Sequence, residues 1–118
     1  MDINGIGRKH RVTQEDSYST IRKFDTLMHR CLRIDELDAD LYKKAKEVRQ
    51  LAQTKNEKLM ANHLVKACWY HVQLIHARQM EAEPDADSVV HKFGKQEVKK
   101  IVKLILSAHD GYLRWRSP

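Results

Sequence analysis

The sequence predicts an all-α domain, a small antiparallel bundle of four to five helices around a central apolar helix over about residues 56–83. Three observations point there. The 118 residues include only four glycines and two prolines while Leu, Ala, Lys, Glu and Gln abound, a composition that favours helix over sheet. Between Asn56 and Glu83, Met60, Ala61, Leu64, Val65, Ala67, Cys68, Trp69, Val72, Leu74 and Ile75 cover more than half of a helix circumference, and Asn62, His63, Lys66 and Gln73 share a narrow strip. One neighbour cannot cover so wide an arc, so other helices should surround it. The flanking segments carry apolar residues at spacings of three and four, as amphipathic helices do.

Residues 1–12 contain Gly5 and Gly7, lack periodicity and end in a basic run, as expected of a flexible basic arm before a single helical domain over 13–118. Thr13 and Asp16 have the spacing of a capping box, so a first helix should begin there, with Ile21, Phe24, Met28, Cys31 and Leu32 on its apolar face. The phase breaks at Ile34-Asp35. A second helix, capped by Asp35 or Asp38, should carry Leu37, Leu41, Ala45, Val48 and Ala52 on a narrow stripe. Thr54-Lys55-Asn56 reads as a break, with Asn56 able to cap the central helix. Pro84 ends that helix and Asp85, Asp87 and Ser88 supply caps for the next.

Residues 88–93 should then form a short turn closed by Gly94 as a left-handed cap. A last amphipathic helix follows from Lys95 to about His109, stopped by Asp110-Gly111, with the tail Tyr112–Arg116 folding back.

No stretch is long and apolar enough to span a membrane, and no apolar run follows the basic N-terminus as a secretory signal requires, so the expected compartment is cytoplasmic. The net charge of +6 is unevenly spread. Residues 1–33 hold seven Lys/Arg and four Asp/Glu, residues 34–87 eight and ten, and residues 88–118 seven and two. Basic charge therefore concentrates at the chain ends, a pattern suited to a polyanion along one side of the fold.

The expected nucleic-acid contacts are Arg8, Lys9 and Arg11 in the arm, Lys92, Lys99, Lys100 and Lys103 opposite the apolar side of the last helix, and Arg114, Trp115 and Arg116 in the tail. A phosphate backbone favours cations displayed along a line, because binding releases its condensed counterions. Two arginines flanking a tryptophan could add backbone contacts and stacking on an unpaired base. The competing expectation is a basic face that meets an acidic protein surface. The wide apolar arc also raises a homodimer, and Trp69, on the edge of the arc, should be either a core residue or the anchor of that interface.

Cys31 and Cys68 fall on apolar faces and read as buried thiols. Cys68 and His71 have a ligand-like spacing of three, but a metal would need further ligands from His29, Cys31, His91 or His109. A core histidine bonded to a neighbour is the simpler expectation, and no metal or cofactor is expected. No catalytic grouping stands out. Arg22 and His29 are similar in spacing to the Arg and His of ribonucleases in the HEPN group of helical domains. The run Glu83 to Val98, with His91-Lys92-Phe93-Gly94 inside it, is similar to the segment after the aromatic helix of that group. There the pair stands in a late helix, whereas here it falls in the first, and the spacing is too permissive to identify the chain as a member. A helical ribonuclease is thus a third reading, behind a non-catalytic accessory or regulatory protein and a protein-interaction module.

Overall fold

The computed structural model describes residues 14–116, with the side chains given from Ser17 onward. Among them are four helices and no strand: α1 (Gln14–Cys31), α2 (Leu41–Arg49), α3 (Lys55–Glu81) and α4 (Val89–Arg116). The expected basic arm lies outside the described residues. Helix α3 touches each of the other three, and α4 is its most extensive partner.

Chain directions follow from which residues meet. The Ser17 hydroxyl donates to the Glu57 carboxylate, and the His71 ring bonds the Cys31 carbonyl at 2.9 Å. Both pairs join α1 to α3 at one sequence offset, so these helices run parallel. Tyr42 at the start of α2 packs on Trp69, ring centroids 5.2 Å apart, and the chain then returns to the start of α3, so α2 runs the opposite way. Gly94 lies against Met80 and Glu81 and Gly111 against His63, which makes α4 antiparallel to α3.

The core is one cluster, with Phe24, Met28 and Cys31 from α1, Leu41 and Ala45 from α2, Met60 to Ala77 on α3, and Val98, Ile101, Ile105, Ala108 and Tyr112 from α4. Three neighbours cover most of the wide apolar arc of α3, leaving Trp69 half exposed at 46%.

Several boundaries differ from expectation, each for a physical reason. Helix α2 is shorter, with Leu37 and Ala52 in the flanking loops. The Asp38 backbone N–H is committed to His71 Nε2 at 3.0 Å, and its carboxylate accepts the Asp40 N–H at 2.9 Å. Those bonds hold a turn that delays the helix until after Asp40. Helix α3 does start after a break, but its cap is Thr54 instead of Asn56. The Thr54 hydroxyl accepts the Glu57 N–H at 3.1 Å, and the Glu57 carboxylate accepts the Gln53 and Thr54 N–H groups. This capping box satisfies donors that the first turn would leave open.

The largest correction concerns α4. Gly94 does not close a short helix and Asp110-Gly111 does not stop a long one; residues 89–116 form one helix, and no glycine among the described residues has a positive φ. Both glycines serve close approach instead. A Cβ on Gly94 would stand 2.3 Å from the Glu81 backbone nitrogen, and one on Gly111 would stand 2.5 Å from the His63 ring. Ser88 does act as the cap, accepting the His91 N–H at 3.0 Å.

Helix α3 runs ten residues past His71, the level at which α1 ends, which is about 15 Å at 1.5 Å per residue. Along that stretch its buried residues reduce to Leu74 and Ala77, matched on α4 by Gly94, Val98 and Ile101. The α3–α4 hairpin thus projects as a two-helix arm beyond α1.

Candidate functional site

The outward face of α4 gathers a block of positive charge. Lys92, Lys99, Lys100 and Lys103 are all exposed, and Lys95 joins them. Lys92, Lys99 and Lys103 lie opposite the buried stripe of Gly94, Val98, Ile101 and Ile105, with Lys95 and Lys100 toward its two flanks. Among the described residues none of the five is in an ion pair. Glu97, the one acid between them, is half-buried on the flank. Lys92, Lys95 and Lys99 surround a shallow hollow of about 200 Å³ together with Gln96. From Lys92 to Lys103 the helix rises about 16 Å, all of it along the projecting arm.

The other expected contacts separate from this face. Arg8, Lys9 and Arg11 lie outside the described residues. Arg114 is exposed near the end of α4. Trp115 is partly buried against the core. Arg116 is committed to Asp25, with Nε 2.9 Å from Oδ1 and a terminal nitrogen 2.7 Å from Oδ2. The buried Tyr112 hydroxyl donates to the same carboxylate at 2.6 Å. Burial alone would raise the Asp25 pKa, but the bonds from Arg116 and Tyr112 outweigh it and hold the carboxyl below its usual value. Burial and the Asp25 carboxylate together push the Tyr112 phenol up. This cluster ties the end of α4 to α1.

A second basic region lies between α1 and α2. Leu27 and Val48 floor a cavity of about 580 Å³ whose walls carry Tyr18, Arg22 and Lys23 from α1 and Lys44 from α2. It adjoins a depression of about 370 Å³ that shares Thr26, Leu27 and Lys44 and extends to His29, Arg30 and Asp38. Arg22 stacks over the exposed Tyr18 ring, 5.7 Å from its centroid. Lys44 lies 3.7 Å from Asp38, which Arg30 approaches at 3.8 Å. Arg22 and His29, the pair similar in spacing to the HEPN ribonucleases, therefore border two adjoining depressions. Two helical turns separate them, about 10 Å of rise.

The Cys31, Cys68 and His71 side chains do come together, fully buried. Both ring nitrogens of His71 are occupied. A backbone N–H can only donate, so Nε2 accepts from Asp38 and the proton sits on Nδ1, which donates to the Cys31 carbonyl. The thiols are free and neighbour one another. That contact and burial push the Cys68 thiol up, keeping it protonated. Among the described residues no group of three or more His, Cys, Asp or Glu side chains is placed to hold a metal ion. His71 is a structural pin that closes the α1–α2 loop onto α3.

Sequence reasoning missed two things. Lys95 stands one turn beyond Lys92, a signal lost once Gly94 was read as a helix end. The groove residues Lys23, Leu27, Lys44 and Val48 are brought together by the separation of two helices, which no local spacing encodes. In comparisons with known proteins, no family model, curated protein or solved structure matches this chain.

Proposed function

We propose that the protein is a non-catalytic, nucleic-acid-associated accessory or regulatory protein that engages the phosphate backbone through the lysine face of α4. The observation that carries this reading is Lys92, Lys95, Lys99, Lys100 and Lys103 on one outward face, without ion-pair partners among the described residues. An unbroken helix holds these cations in line without ordering a loop. Their span of about 16 Å matches roughly five nucleotide steps at 3.4 Å per step along one strand. With five candidate contacts at most, the slope of log K against log salt should reach about −3.5 to −4.5.

A fluorescence-anisotropy titration with labelled single- and double-stranded DNA and RNA of random sequence, at two salt concentrations, tests the reading. Micromolar or tighter binding that weakens steeply with salt is expected. Absence of binding at low salt would refute it and leave the lysine face to an acidic protein surface.

A further inference from the structure

The groove between α1 and α2 differs in character from the α4 face. The lysine face is a convex row of charge, whereas the groove has an aliphatic floor, Leu27 and Val48, with cations on both walls. Arg22 and Lys23 stand on one wall and Lys44, 3.7 Å from Asp38 at its edge, on the other, and among the described residues no acidic side chain lines the larger cavity. The side of Tyr18 adds a large apolar surface, exposed at 64%. From Tyr18 to Leu27 the wall rises about 13 Å, the length of two to three helical turns.

We propose that this groove is a docking site for a short amphipathic helix of an acidic protein partner. Two or three large apolar side chains of that helix, spaced by three and four residues, would sit on Leu27 and Val48. Asp or Glu residues on its flanks would pair with Arg22, Lys23 and Lys44. Charge complementarity selects this occupant over the alternatives. The chain's own N-terminal segment carries Arg8, Lys9 and Arg11 and would bring like charge to the groove. A second copy offering Phe93 or Leu106, two of the exposed apolar residues beside the lysines of α4, would do the same, and one offering Val89 or Val90 would show as a dimer in sedimentation. Nucleic acid would meet the cations but gain little from a narrow aliphatic floor. The floor demands apolar side chains and the walls demand acids, a combination that an amphipathic acidic helix supplies.

The test is selection from a display library of randomised 16-residue peptides on the full chain. Selected peptides are then synthesised and titrated against the wild type and the variants Lys23→Glu/Lys44→Glu and Lys99→Glu/Lys103→Glu. All four lysines are exposed, and the one ion pair among them, Lys44 with Asp38, is a long contact of 3.7 Å at the surface, so both variants should keep the wild-type circular dichroism. Enriched peptides should combine helical apolar spacing with acidic flanks and shift the amide resonances of Leu27 and Val48. They should bind the Lys23/Lys44 variant at least tenfold more weakly and the Lys99/Lys103 variant within about twofold of wild type. A scrambled peptide of equal composition should bind at least tenfold more weakly than its parent. Failure to enrich such peptides, equal binding of the scrambled peptide, or resonance shifts confined to α4 would overturn the proposal. A concentration-dependent dimer in sedimentation that Lys23→Glu/Lys44→Glu dissociates would assign the groove to a second copy and overturn it too. Oligonucleotide binding lost in the Lys23/Lys44 variant but kept in the Lys99/Lys103 variant would overturn both this proposal and the lysine-face reading. Loss of the peptide result alone leaves the lysine-face reading standing.

Discussion

Gly94 sits inside a helix, where alanine is ordinarily better by about 1 kcal/mol. Here the substitution should do the reverse, because the new Cβ would stand 2.3 Å from backbone nitrogen and 2.6 Å from backbone carbon of α3. Gly94→Ala should cost about 2–4 kcal/mol, in the range of overpacked sites. Gly111→Ala should cost less, since the His63 ring it meets can swing aside. Urea denaturation of the two variants decides it, and a stabilised Gly94→Ala would show that α3 and α4 do not approach so closely. His71 is the second decisive residue. His71→Leu would leave the Cys31 carbonyl and the Asp38 N–H without their partner and should cost about 2–4 kcal/mol. Asp25 gives a pH signature. Its folded pKa is depressed, so the stability it contributes is fully present above the unfolded carboxylate value of about 3.9 and is lost as pH falls through the folded value. Asp25→Asn should cost about 1 kcal/mol at pH 6, and the deficit relative to wild type should vanish in strong acid. A deficit that does not shrink as the pH falls below the unfolded carboxylate value would show that the charge of Asp25 is not what matters.

At the scale of elements, α1 and the body of α3 were legible because apolar spacing repeats over many turns and outweighs any single residue. Leu64 and Ile75 show the limit of that signal. Both lie on the apolar arc, but Leu64 is fully buried while Ile75 is half-buried on the projecting arm. Leu64→Ala should cost about 2–5 kcal/mol and Ile75→Ala distinctly less. The arm has neighbours on fewer sides, so its amides should exchange faster than those of residues 60–71 under native conditions. Hydrogen exchange measures this directly, and equal protection along α3 would mean that the arm is covered. The α4 boundaries were misread because a glycine that permits close approach and a glycine that ends a helix look alike in sequence; only the proximity of Met80 and Glu81 distinguishes them.

For the molecule as a whole, the fold separates what the sequence leaves mixed. Basic charge near both chain ends suggested one polyanion-binding side. The structure instead puts the α4 lysines on the projecting arm and Arg22, Lys23 and Lys44 around an apolar groove between α1 and α2. Arg116 joins neither set, because Asp25 and Tyr112 hold it in a tie between α1 and α4. Net charge could not foretell that partition, since it depends on which cations find carboxylates across helices. The measurement that bears most directly on the lysine face is the oligonucleotide titration repeated with Lys99→Glu/Lys103→Glu. Affinity should fall at least tenfold and the salt slope should shrink by about two, with the helical circular dichroism unchanged. Wild-type affinity and slope in that variant, with the fold intact, would contradict the assignment of α4 as the surface that holds nucleic acid.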